Sequence, residues 1–156
     1  MKYFSIQYWS DYEQISDLRK SYRAYISSVE TRLPTDLKSL TGGGGNISLN
    51  DANIERFVMS VENASVSIMM NGKWIQGAVT GLRVFHLSYI GVTQVVSIVD
   101  PDVEGLSESG YGDHGFDELE VLENNLCEHR MLFSSGIELH IRFRDFFLDY
   151  KDIPNP

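Results

Sequence analysis

The sequence predicts an α+β fold, with one long N-terminal amphipathic helix packed on a curved antiparallel β-meander of about seven or eight strands. Two periodicities carry the prediction. Apolar residues recur mostly at spacings of three and four from Tyr12 to Leu33, and from Ile54 onward they fall in short runs separated by turn residues. Neither an internal repeat nor a shift in composition divides the 156 residues. Residues 1–156 therefore read as one domain, long enough to bury about 70% of its unfolded surface.

The helix opens with Ser10 and Glu13 in capping-box spacing. It carries Tyr12, Ile15, Leu18, Tyr22, Tyr25, Ile26, Val29 and Leu33 along one stripe and ends at Pro34. A stripe so rich in tyrosine suits a helix laid on a sheet with some hydroxyls reaching the rim. Leu37 and Leu40 predict a short further turn of helix. Residues 41–46, Thr41-Gly42-Gly43-Gly44-Gly45-Asn46, read as a flexible linker. A phosphate-binding loop would close on Gly-Lys-Ser/Thr, and Asn46-Ile47-Ser48 stands there instead.

Ile54 to Glu62 reads as the first strand. Asn71-Gly72 predicts a two-residue hairpin turn that pairs Ile68 with Ile75, Val66 with Gly77 and Ala64 with Val79, with Met69 and Trp74 as a cross-strand pair on an otherwise polar face. Leu82 to Val99 is almost continuously apolar and reads as two strands covered on both sides, with His86 in the core. An acidic, mobile loop spans residues 100–115, Glu118 to Glu123 is a strand, and Asn124-Asn125 turns the chain into Leu126 to Asp145. There Ser134-Ser135-Gly136, with Gly136 at positive φ, sets Phe133 against Ile137, Met131 against Leu139, His129 against Ile141 and Cys127 against Phe143 on the core side. The opposite face then pairs Glu128 with Arg142 and Arg130 with His140, leaving Glu138 and Arg144 toward solvent. Phe146, Phe147, Leu148 and Tyr150 close against the body, and Ile153 to Pro156 is a tail.

Composition narrows the function. Apolar residues make up 42% of the chain and aromatic ones 12%, which is globular, and the formal net charge of −9 speaks against duplex nucleic acid or an anionic membrane as partner. The charge is uneven: between Val84 and His129 there are ten Asp or Glu and no Lys or Arg. Such a segment attracts a basic surface and speeds its association. A lone Cys127 excludes an internal disulfide, and burial in the hairpin makes it a small apolar residue. A reducing compartment follows. No apolar run has the length of a membrane span and the N-terminus has no continuous apolar stretch, so the expected location is cytoplasmic.

Four histidines, His86, His114, His129 and His140, form no ligand pair at helical spacing and no zinc motif, and no cofactor is expected. His129 on the core face reads first as a hydrogen-bonded imidazole, and His140 as a surface strand residue. Asp100-Pro101-Asp102-Val103-Glu104-Gly105 matches the first half of a calcium loop, but position twelve is Tyr111 rather than a bidentate glutamate and no helices flank it. Asp113-His114 and Asp117-Glu118 are residue types that build acid/base or metal clusters. No nucleophile elbow, dinucleotide-binding turn or kinase signature occurs.

Asp117-Glu118, Glu128-His129-Arg130-Met131-Leu132-Phe133, Gly136, Glu138 and Ile141-Arg142-Phe143, with Tyr25, Leu33-Pro34 and Ser48-Leu49-Asn50-Asp51-Ala52, together resemble small bacterial proteins built on domains of unknown function. Some small acidic proteins of that type act as immunity proteins against toxins, which is what the resemblance implies. It carries over no catalytic residue. The first reading is thus a non-enzymatic bacterial protein that holds a basic protein partner through its acidic region, with Asp100, Asp102, Glu104, Asp113, His114, Asp117, Glu118 and His129 as candidate contacts. The rival is a metal-dependent or acid/base enzyme around Asp113, His114, Asp117 and His129. An enzyme requires those groups to converge in a concave pocket, whereas a binder spreads them over an open face. A third reading is a homo-oligomer that buries Met69 and Trp74.

Overall fold

The computed structural model describes residues 1–8, 12–41, 47–76, 79–99 and 110–154. The capping-box serine, the glycine run and the calcium-like stretch at 100–105 lie outside the described residues. The helix α1 spans Tyr12–Val29, a 3₁₀ turn follows at Glu30–Arg32, and Pro34 separates it from the short α2, Thr35–Lys38. Eight antiparallel strands follow: β1 Asn53–Ser60, β2 Ser65–Gln76, β3 Val79–Ile90, β4 Gln94–Val99, β5 His114–Val121, β6 Cys127–Phe133, β7 Ile137–Phe143 and β8 Asp145–Pro154. The α+β prediction holds, with the strands divided between two four-stranded sheets, β1-β2-β3-β8 and β4-β7-β6-β5.

Two bends join the sheets. The chain turns at Gly91–Thr93 from β3 into β4, and at Arg144 from β7 into β8. Arg144 N–H donates to Ile90 O at 2.9 Å and Thr93 N–H to Arg142 O at 2.9 Å, so the β3–β8 ladder runs on as the β4–β7 ladder. On the far side, Asp51 N–H donates to His114 O and His114 N–H to Ala52 O, tying the start of β1 to the start of β5. Strands that switch sheets at corners let two sheets enclose one core. Val66, Ile68, Met70, Phe85, Leu87, Tyr89 and Phe146 meet Leu119, Met131, Phe133, Leu139, Ile141 and Phe143 there, with Ile26, Leu33 and Leu37 from the helical segment.

The β6–β7 hairpin has the predicted register, from Cys127 opposite Phe143 to Met131 opposite Leu139, with Gly136 at φ 78° and Cys127 buried. Asn124 and Asn125 take the expected left-handed conformation, at φ 57° and 58°. β1 and α2 also fall where the residue pattern put them, whereas β5 starts at His114, inside the expected mobile loop, and ends at Val121.

The Asn71-Gly72 turn does not exist. β2 runs straight through it, with Asn71 opposite Asn53 and Val84, and Gly72 opposite Arg83. Gly72 is there for close packing: a Cβ on it would stand 3.1 Å from the Phe85 ring and 3.3 Å from the Ala52 methyl. Ile68 therefore pairs with Phe57 and Leu87, and Val66 with Met59 and Tyr89, in place of Ile75 and Gly77. The turn before β2 lies at residues 61–64, with Ala64 at φ 45°. Met69 and Trp74 are on one strand, so they are not a cross-strand pair.

β3 and β4 are not covered on both sides. Leu82, His86 and Ile90 are exposed on the outer face of the first sheet, and His86 stands opposite Asp149 rather than in the core. β4 is an edge strand with Ile98 and Val99 exposed. The supposed tail begins as strand: Ile153 and Pro154 pair with Leu82 and Gly81 in β8. Among the described residues, no helix is long and apolar enough to cross a membrane.

Candidate functional site

Alternation along β3, β5 and β6 aims Tyr89, Asp117 and His129 into the space between the sheets, where polar groups require partners. They find one another. The Tyr89 hydroxyl meets His129 Nδ1 at 2.8 Å, and His129 Nε2 meets Asp117 Oδ1 at 2.7 Å. His114 Nε2 reaches the same carboxylate oxygen at 2.9 Å. Two imidazole N–H groups therefore converge on one acceptor, since an ionised carboxylate can only accept. Burial alone would raise the Asp117 pKa, but the charge and hydrogen bond of His114, then those of His129, hold the carboxyl well below its usual range. Burial pushes the Tyr89 hydroxyl well above its ordinary pKa, and the Asp117 charge adds to this. His114 and His129 are buried, and the Asp117 side chain is 19% exposed. His114 Nδ1 is buried with no hydrogen-bond partner.

The opposite face of the second sheet carries a separate ionic ladder. Arg130 Nε donates to Glu128 and its terminal nitrogens reach Glu120 and, at 3.6 Å, Glu118, while Arg142 Nε donates to the other oxygen of Glu128. Burial would raise the Glu128 pKa, and the bonds from Arg142 and Arg130 hold it below normal. Glu118 is buried and accepts the backbone N–H groups of Lys2, Tyr3 and Phe4 at 2.7, 2.6 and 2.7 Å, which lays the N-terminus on this face. Phe4 then stacks on Phe116 with centroids 4.9 Å apart. The N-terminal ammonium of Met1 pairs with Glu138 at 2.6 Å, and His140 does so at 2.7 Å. Expected to face solvent, Glu138 is instead mostly covered; Arg144 is exposed as predicted.

The eight candidate contacts thus go to different places. Asp100, Asp102 and Glu104 lie outside the described residues. His114, Asp117 and His129 form one chain, Glu118 belongs to the N-terminal clasp, and Asp113 is exposed, accepting the Asn53 side-chain N–H at 3.0 Å. The ten carboxylates of the acidic segment are partly compensated after all, because Arg130 and Arg142 fold back onto Glu118, Glu120 and Glu128. Among the described residues, no group of three His, Cys, Asp or Glu is arranged to hold a metal ion.

Two features escaped the sequence reading. Tyr89 is one: its inward position follows only from the β3 register. The other is a cleft of about 450 Å³ whose walls include Arg19, Arg23, Ser48, Asn50, His114 and Asp117. Arg19 and Arg23, four apart on α1, were the available signal.

No known protein family matches this sequence, and no curated protein is significantly similar to it.

The sheet edges complete that geometry. β5 is an edge whose Leu119 and Val121 N–H groups donate to the Tyr22 and Tyr25 hydroxyls at 2.6 and 3.0 Å. β8 is an edge whose Phe146, Leu148 and Tyr150 N–H groups donate to Asp145, Asp36 and Asp149. β4 has no such cover among the described residues. Arg142 turns its carbonyl to β4, so Arg142, His140 and Glu138 form the hydrogen-bonded pairs with Gln94, Val96 and Ile98, and alternation turns the amides of Val95, Ser97 and Val99 outward. A shallow apolar groove separates the first residues of β4 from Met59 and Val61 at the end of β1, and Val61 is 82% exposed.

Proposed function

We propose that the protein is a non-enzymatic binding protein that holds a basic protein partner, in the manner of a bacterial immunity protein. The observation that supports this most is the open edge of β4, which presents outward amides and the exposed Ile98 and Val99 and runs directly into Asp100, Asp102 and Glu104. An extended segment of a partner can add to such an edge by main-chain hydrogen bonds, and exposed apolar edges in stable proteins otherwise invite aggregation. The neighbouring carboxylates select a basic segment and speed its approach. The resemblance to small acidic bacterial proteins agrees with this reading.

The acid/base reading has less support. His114 and His129 are both buried and both direct Nε2 to Asp117, and Asp117 is held too acidic to accept a proton near neutral pH.

Ser97→Pro tests the proposal, because it removes an outward amide without touching the β4–β7 ladder. A basic protein captured by the wild type and then purified should bind in a salt-sensitive way and lose at least tenfold in affinity to Ser97→Pro. Binding that ignores the substitution would overturn the β4 reading. Self-association in sedimentation velocity, abolished by Ser97→Pro, would put a second copy of the chain there in place of a basic partner.

A further inference from the structure

The cleft that holds Asp117 has the size and the polarity of a small-molecule site. Its volume of about 450 Å³ falls within the ordinary range for ligand pockets. On one wall, Arg19 and Arg23 stand one helical turn apart on the exposed side of α1, and among the described residues neither is ion-paired. Arg19 lies over the Phe116 ring at 6.0 Å, so its guanidinium is kept at the cleft mouth. On the other wall, Asp117 gives Oδ1 to two imidazoles, and among the described residues its Oδ2 has no hydrogen-bond partner. Because both histidines hold the carboxyl ionised and fixed, Oδ2 is a pre-organised acceptor. Ser48 and Asn50 add neutral polar groups along the rim.

We propose that this cleft binds a small zwitterion, its anionic group between Arg19 and Arg23 and its ammonium on Asp117 Oδ2. Guanidinium pairs recognise carboxylate or phosphate, and a fixed carboxylate recognises a cation that can donate. An anion alone would leave Asp117 unmet and repelled; a cation alone would meet two arginines. The zwitterion satisfies both walls. This inference stands apart from the β4 edge, and its failure would leave the binding reading intact.

Calorimetric titration tests it, with γ-aminobutyrate and O-phosphoethanolamine as probes and acetate, inorganic phosphate and ethylammonium as their halves. The expected result is saturable binding of one of the two zwitterions, with each half at least tenfold weaker. The probe that binds tells carboxylate from phosphate. Arg19→Gln/Arg23→Gln changes only exposed helix positions, so it should fold normally and lose tenfold or more in affinity. Asp117→Asn should reduce the zwitterion to the affinity of its anionic half. No saturable binding by either zwitterion, equal binding to the double arginine variant, or a half-ligand binding as tightly as the whole would each overturn the proposal.

Discussion

β5 and β4 are the two edges of one sheet, and the described residues cover the first while leaving the second open. Along β5, Tyr22 and Tyr25 give hydroxyl acceptors to alternate amides, and Glu118 holds the N-terminal backbone over the outer face. Along β4, alternate amides face outward among exposed aliphatic side chains. An edge is a liability when it is long, flat and apolar, and proteins ordinarily blunt it. Here β5 and β8 are both blunted by side-chain acceptors, whereas β4, like the exposed β1 edge of the first sheet, has none among the described residues.

Breaking the cover of β5 should have the largest effect. Glu118→Ala strips three backbone N–H groups and Arg130 of a buried acceptor, and should destabilise by about 3–5 kcal/mol in urea denaturation. Asp117→Asn leaves two imidazoles facing a weaker acceptor, for a loss of about 2 kcal/mol at neutral pH. This effect depends on pH. Asp117, Glu128 and Glu138 all have folded pKa values below their ordinary ones, so their stabilisation is present above the unfolded carboxylate range of about 4 and is lost as pH falls through the folded values. Thermal denaturation of the wild type should therefore weaken steadily below about pH 4, and Asp117→Asn should flatten that decline.

Smaller changes sharpen the contrast between the edges. Tyr22→Phe deletes one acceptor on β5, should lower stability by about 1 kcal/mol, and should speed exchange of the Leu119 amide. Ser97→Pro, on the open edge, should alter stability by less than about 1 kcal/mol in the same denaturation assay.

What was legible in the sequence follows from how local each signal is. The β6–β7 register was readable because a three-residue turn and two alternating strands fix each other over less than twenty residues. The helix and its end at Pro34 were readable for the same reason. Gly72 misled because a glycine has two uses, turning a chain and letting another chain come close, and only the positions of Phe85 and Ala52 decide between them. The charge pattern misled similarly. Glu118 and Glu120 sit in a stretch without cations, yet Arg130 reaches them from β6, whereas the pairing of Glu128 with Arg142 was legible in the hairpin register. Of the site, the inward position of His129 was legible, whereas its partner Tyr89 comes from the other sheet, forty residues away in sequence.

Amide hydrogen exchange resolved by residue tests the central contrast most directly. In the free protein, the Leu119 and Val121 amides should be strongly protected, and those of Val95, Ser97 and Val99 should exchange far faster while Val96 and Ile98 stay protected by the β4–β7 ladder. Equal protection of Val95, Ser97 and Val99 with Leu119 and Val121 would mean that β4 is already covered, and would contradict the account.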